Sequence, residues 1–332
     1  MRAGTPIERQ RRFRAKVAGC IVGCCLPLLA TLLTTAAPAN GNGAAAGAVL
    51  GRSPQHATAS ADGGSSLGTV TIEGARERRR LYRHVSRYVA SVMVGYTFDS
   101  LPRWDQPICP LVAGLSRQQG EYILARITRV ATAAHAPLAG EHCRPNLYVV
   151  ATAAPDLLLR KWWARDRLMF NLCNGMGGVR KFIGSKRPIR VWYNTMPISS
   201  SNDATPPVDL DAPALGLSLG PTHCITTNTG ALALGQVIVV VDTRQTLTLD
   251  IGQLADYVSL VGLAQVQPGT VPAGPSILGL FAGNKDPPRG LSAWDHALLY
   301  ALYHTPQSDP LLQVARIRNS MVSQILQSPR AR

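Results

Sequence analysis

No internal repeat runs through the 332-residue sequence, which sets aside solenoids and propellers built from stacked units. None of its seven histidines stands four residues from another, so no helix presents the paired imidazoles of a protease zinc site. Acidic charge is scarce, with 19 Asp and Glu against 34 Lys and Arg and a net charge of +15. No aromatic stacking platform or nucleic-acid motif accompanies that excess, which argues against a nucleic-acid partner.

What is present begins with an export signal. Arg2, Arg9, Arg11, Arg12, Arg14 and Lys16 face a single Glu8, the positive start that stays on the cytoplasmic side of a membrane. Val17 to Leu33 is an uncharged run of 17 residues, at the lower limit for crossing a bilayer and with no stop-transfer cluster behind it. Ala37-Pro38-Ala39 supplies the small-x-small pattern of a cleavage site. Residues 1–39 therefore read as a cleavable signal, Asn40 as the mature start, and the periplasm or extracellular space as the destination. An uncleaved anchor, lipidation at Cys20 in Val17-Ala18-Gly19-Cys20, and twin-arginine export through Arg11-Arg12-Phe13 are the alternatives. ATP and nicotinamide cofactors are not expected in that compartment, and no cofactor is implied.

Cys20, Cys24 and Cys25 leave with the signal, and Cys109, Cys143, Cys173 and Cys224 remain. In an oxidising compartment four cysteines suggest two disulfides, with three connectivities open. Sequential pairing, Cys109 with Cys143 and Cys173 with Cys224, joins neighbouring elements. A zinc site from the same four is disfavoured, because no two of them lie two to four residues apart.

Residues 40–75 are rich in Gly, Ala and Ser and read as a flexible tether. Residues 76–332 read as a globular α+β domain, a mixed sheet with packed helices. Helices are expected from Leu81 to Val94, after a Ser116 cap with Ile123, Ile127, Val130 and Ala134 on one stripe, from Pro155 through Trp162 and Trp163 to Phe170, from Leu249 to Val266, from Ser292 to Tyr303, and from Pro310 to Gln327. Strands are expected at Leu147 to Thr152, Pro188 to Ile198 and Gln236 to Asp242. Residues 199–221 form a long Ser-, Asp- and Pro-rich loop.

The most informative stretch is Ala255-Asp256-Tyr257-Val258-Ser259-Leu260-Val261-Gly262-Leu263-Ala264-Gln265, followed by Ser276-Ile277-Leu278 and by Gly290-Leu291-Ser292-Ala293-Trp294-Asp295 with Leu298 to Tyr303. Its order and spacing resemble the C-terminal end of the metzincin zinc proteases, matrixin-like members above all. There a helix bears His-Glu-x-x-His, a glycine turns the chain toward a third histidine, a turn runs beneath the metal, and an end helix closes the domain. It is also similar to exported proteobacterial proteins of unknown function that share this degenerate end. The resemblance covers residues 236–304 and implies a zincin-like portion there. Ala255, Ser259 and Gln265 stand at the three ligand positions, and Asp256 at the general-base position. Without neutral imidazoles no metal is held, no bound water is acidified, and hydrolysis fails at its first step. The expectation is a non-catalytic binding or interaction module, a pseudoenzyme. If the frame is the protease frame, Asp256 and Ser259 line an open cleft beside Gly262 and the Ser276–Leu278 turn. A helix buried on every side is an ordinary core helix instead.

The competing class is a hydrolase. Gly216-Leu217-Ser218-Leu219-Gly220 matches a nucleophile elbow, with Asp242 or Asp295 and His223 or His296 as partners, but Pro221 follows at once and no buried strand precedes it. A metal enzyme with unrecognised ligands is the other form of this alternative. His296 beside Asp295 reads as a helix-surface pair, Gly175-x-Gly177-Gly178 as a turn, Asp203, Asp209 and Asp211 as solvated loop acids, and Trp162, Trp163, Trp192 and Trp294 as core or half-buried anchors. Arg76, Arg78, Arg79, Arg80, Arg83 and Arg87 form a solvated basic helix, which can meet cell-envelope polymer, anionic lipid or a protein partner.

Overall fold

The computed structural model describes residues 65–93, 101–170, 175–198, 232–267, 269–283, 286–307 and 309–328. Residues 1–39, expected to form an export signal, and Ser218, His223, the acids of the 199–221 loop, Cys173 and Cys224 lie outside the described residues. Seven helices and five strands are described: α1 Ser65–Val92, β1 Arg103–Trp104, β2 Pro110–Ala113, α2 Arg117–Ala134, β3 Leu147–Thr152, α3 Pro155–Arg165, α4 Gly175–Ile183, β4 Ile189–Pro197, β5 Leu232–Asp242, α5 Ile251–Leu263, α6 Ala293–His304 and α7 Pro310–Gln327.

The sheet is organised by β5. Its Val237, Val239 and Val241 fall in one hydrophobic core and its Ile238 and Val240 in another, because successive side chains of a strand point to opposite faces. A strand covered on both faces reads as a continuous apolar run, which is why the alternation expected of a half-exposed strand is missing from Gln236 to Asp242. β3 runs parallel to the second half of β5, with Val149 opposite Val239, and β2 runs parallel to β3. β1 lies parallel to the start of β5. β4 is antiparallel to β5 along its other side, with a register shift at Asn194/Thr195. The result is a mixed sheet of order β2-β3-β5-β4 with β1 beside β5 ahead of β3.

On one face sit α1, α2, α5, α6 and α7. Val85, Tyr88, Val89 and Val92 of α1 are buried, at helical spacing, while the six arginines from Arg76 to Arg87 are exposed. α2 opens with a capping box between Ser116 and Gln119 and buries Ile123, Ile127, Val130, Ala131 and Ala134. On the other face a smaller aromatic core gathers Phe170, Phe182 and Trp192, with Trp162 and Trp163 packed against it.

Several expectations are corrected. α1 begins at Ser65, inside the stretch read as a tether, because a helix once nucleated gains a hydrogen bond for each residue added. Gly175 to Gly178 open α4 rather than form a turn, with Gly175 at φ +65°. Pro110 begins β2, a strand for which no expectation was set. Gly114, which leads from β2 toward the Ser116 cap, has φ +85°, and a Cβ there would stand 1.9 Å from the Ala151 carbonyl oxygen, so only glycine fits. Cys109 and Cys143 form a disulfide, as sequential pairing predicts, with Cα atoms 5.9 Å apart.

Candidate functional site

α5 carries the motif positions, and its burial decides what they can do. Asp250 caps the helix by accepting from the Gly252 amide at 2.7 Å, and Gln253 donates to the Pro288 carbonyl at 2.9 Å. Every residue from Leu254 to Leu263 is buried. The open cleft expected beside Gly262 is therefore closed, and α5 has the surroundings of a core helix rather than of one amphipathic face.

Asp256, at the general-base position, is the most heavily engaged of these residues. The Arg126 guanidinium grips both its oxygens, Nε donating to Oδ1 and Nη2 to Oδ2 at 2.9 Å, and the Leu291 amide donates to Oδ2 at 2.9 Å. A Cβ at Gly290 would come within 2.6 Å of Oδ2, so glycine is what lets the chain approach so closely. This carboxylate ties α2, α5 and the approach to α6 together. The hydrogen bond to Asp256 also holds the Arg126 guanidinium more firmly protonated. Ser259 is fully buried and its hydroxyl donates back to the Ala255 carbonyl at 2.7 Å. Gly262 lies in the last helical turn, where a Cβ would press on Leu147 at 3.1 Å. Its role is a close helix-to-strand contact.

Three aromatic side chains close the C-terminal end of α5, where carbonyls have no partner in the helix. Trp104 donates its indole N–H to the Gly262 carbonyl at 2.8 Å, Tyr303 its hydroxyl to Leu263 at 2.7 Å, and Tyr193 lies within hydrogen-bond reach of Val261 at 3.0 Å and Ala264 at 3.2 Å. Burial pushes the Tyr193 and Tyr303 hydroxyls well up from the ordinary phenol range, so both stay protonated and able to donate, and Tyr193 Oη also accepts from the Val266 amide at 3.3 Å.

The turn and the end helix meet through Asp295. Its fully buried carboxylate accepts from Tyr88 Oη at 2.9 Å, Ser276 Oγ at 2.6 Å, the Ile277 amide at 2.9 Å and the Ser292 amide at 2.9 Å. Ser276 in turn caps a 3-10 turn, Ile277–Phe281. His296 is exposed, so the expected surface pair of Asp295 and His296 does not form. Burial first, and then the Asp295 charge, drive the Tyr88 hydroxyl well above its ordinary value.

Asp242, the acid of the alternative hydrolase, ends β5. It is buried and accepts from the Arg244 amide at 3.0 Å and from Gln245 Nε2 at 2.8 Å. Burial alone would raise its carboxyl, but these bonds and the Arg244 guanidinium outweigh it and hold the group below its ordinary value. It organises a turn. His135 and His304, far apart in sequence, approach to 4.7 Å between ring centroids, with Tyr300 stacked on His304 at 3.7 Å. Among the described residues no three His, Cys, Asp or Glu side chains gather as a metal site would require.

Arg126, Tyr88, Trp104, Tyr193 and Tyr303 escaped the sequence reading. Arg126 lies 130 residues from Asp256 with no local pattern joining them. Only the pairing of a bulky apolar body with a polar tip hinted at the aromatic donors. The chain matches no protein-family model, no curated protein and no solved structure, and among the described residues no helix is long and apolar enough to cross a membrane.

Proposed function

We propose that the protein is exported and works as a non-catalytic binding or interaction module, in which α5, buried on every side, is an ordinary core helix serving as a structural strut. The carrying observation is the engagement of Asp256: a carboxylate buried in the core and gripped by Arg126 and the Leu291 amide is committed as a structural acceptor, not placed as a base for a reacting water. Ala255 and Ser259 are sealed in the core and offer no imidazole, so a zinc ion has nothing to hold it.

Kinship of the frame with the zinc proteases rests on the order of its parts: a helix ending just past Gly262, a turn at Ser276, an end helix capped at Ser292, and the Asp295 tie between turn and helix. The closed cleft counts against that kinship and for the non-catalytic half of the proposal. Export rests on the N-terminal charge, the apolar run and Ala37-Pro38-Ala39.

A peptide-library digest of the mature protein, run with and without chelator and paired with fluorophosphonate labelling, tests this reading. No cleavage and no adduct on Ser218 are expected. Cleavage abolished by chelator would establish a metal hydrolase, and an adduct on Ser218 would establish a serine hydrolase.

A further inference from the structure

The connection from α4 into β4 and the segment after α5 enclose a cleft of about 1190 Å³. Five cations line it, Arg180, Lys181, Lys186, Arg187 and Arg190, and among the described residues no acidic side chain does. Asp156, on α3, pairs with two of them, Lys186 at 2.6 Å and Arg190 at 2.6 Å. Arg180, Lys181 and Arg187 are exposed and make no ion pair with any described residue.

Two features mark this as a built site rather than a scatter of surface charge. Arg187 is seated on the chain: at Gly269, φ +68°, a Cβ would lie 2.6 Å from the guanidinium carbon, so the glycine makes room for the cation. Arg190 is only 3% exposed, and its Nη1 donates to the Ile183 carbonyl at 3.0 Å. Its Nε is buried without an acceptor.

We infer that this cleft binds a phosphate-bearing ligand larger than a single inorganic ion. A carboxylate brings one charge and two acceptor oxygens. A phosphoryl group brings up to two charges and three acceptors, and two or more such groups match the three exposed cations that pair with no described acid. The volume leaves room for more than the phosphates. The phosphate is carried either by a soluble oligophosphate or phosphate ester or by a phospholipid headgroup. The inference is independent of the zinc-protease resemblance: its cations come from α4, β4 and the link between them, and of the motif positions only Gln265 lines the cleft.

Calorimetric titration of the mature protein with sodium tripolyphosphate, alongside sedimentation with phosphatidylglycerol-containing vesicles and with phosphatidylcholine vesicles, tests it. At least one anionic probe is expected to bind. Arg180→Glu/Lys181→Glu and, separately, Arg187→Glu are expected to weaken that binding by about tenfold or more, with an unchanged melting temperature. Arg78→Glu/Arg79→Glu, an equal charge reversal on exposed α1, is expected to leave it intact. Tripolyphosphate binding without vesicle binding identifies a soluble ligand, and vesicle binding lost with the cleft variants identifies a headgroup. Binding of neither probe, or equal weakening by the cleft and α1 variants, overturns the inference.

Discussion

A carboxylate that accepts from a guanidinium and an amide at once is held in place, and removing it leaves those donors buried and open. Asp256 is in this position, with Arg126 about a quarter exposed at 27%. Breaking a partly buried pair from one side should cost about 2–4 kcal/mol, between the values for exposed and for fully buried pairs. We therefore expect Asp256→Ala and Arg126→Ala each to lower stability by about that much. The double variant should cost clearly less than the sum of the two, because the second removal takes away a partner already orphaned. Chemical denaturation of the four proteins measures this. Additive losses would mean that Asp256 is not a strut. At this scale the sequence was legible only for local chemistry: Ser116 caps the helix that follows it, as expected, whereas Asp250 and Ser292, read as helical residues, are themselves the caps. What Asp256 touches was not legible, since its partner sits on another helix and nothing in the spacing joins them.

Elements were easier to read than contacts. β3 and α7 occupy the expected bounds and α2 buries the expected stripe, because period and punctuation act over a few residues. β1 is two residues long and β2 starts at a proline, so each exists through pairing with a neighbour rather than through its own pattern. α4 was hidden by its glycines, which favour turns locally but are outweighed by burial of Val179 and Phe182 in the aromatic core. That core is also tied electrostatically. Asp156 in the first turn of α3 bridges Lys186 and Arg190, and hydrogen bonds from the two hold its carboxyl down from 3.8 to about 2. A carboxyl lowered on folding adds stability that is fully present above 3.8 and is lost as the pH falls through about 2. Asp156→Asn, which also leaves Arg190 buried without a counter-charge, should cost about 1–3 kcal/mol near neutrality. The difference from the parent protein should shrink as the pH drops through that window. Urea midpoints across the acid range provide the check, and a gap undiminished near the lower limit would contradict the tie.

For the molecule as a whole, composition led to the right class, an α+β domain with a mixed sheet, because β5 and its flanking helices carry strong apolar signals. It did not disclose the division into two cores on the two faces of β5, nor that α5 would be enclosed on every side. Burial of α5 depends on Leu147, Trp104, Tyr193 and Tyr303 arriving from four separate segments, and no window of sequence contains them all. The motif from Ala255 to Gln265 was thus readable as an order of residues, while its meaning came from what surrounds it. A helix locked in this way, without imidazoles and with its one acid engaged, should hold no metal. The direct measurement is the zinc content of the purified mature protein by elemental analysis after dialysis against buffer free of chelator. The expected result is zinc far below one ion per chain. A stoichiometric ion that survives dialysis would contradict the proposal at its centre.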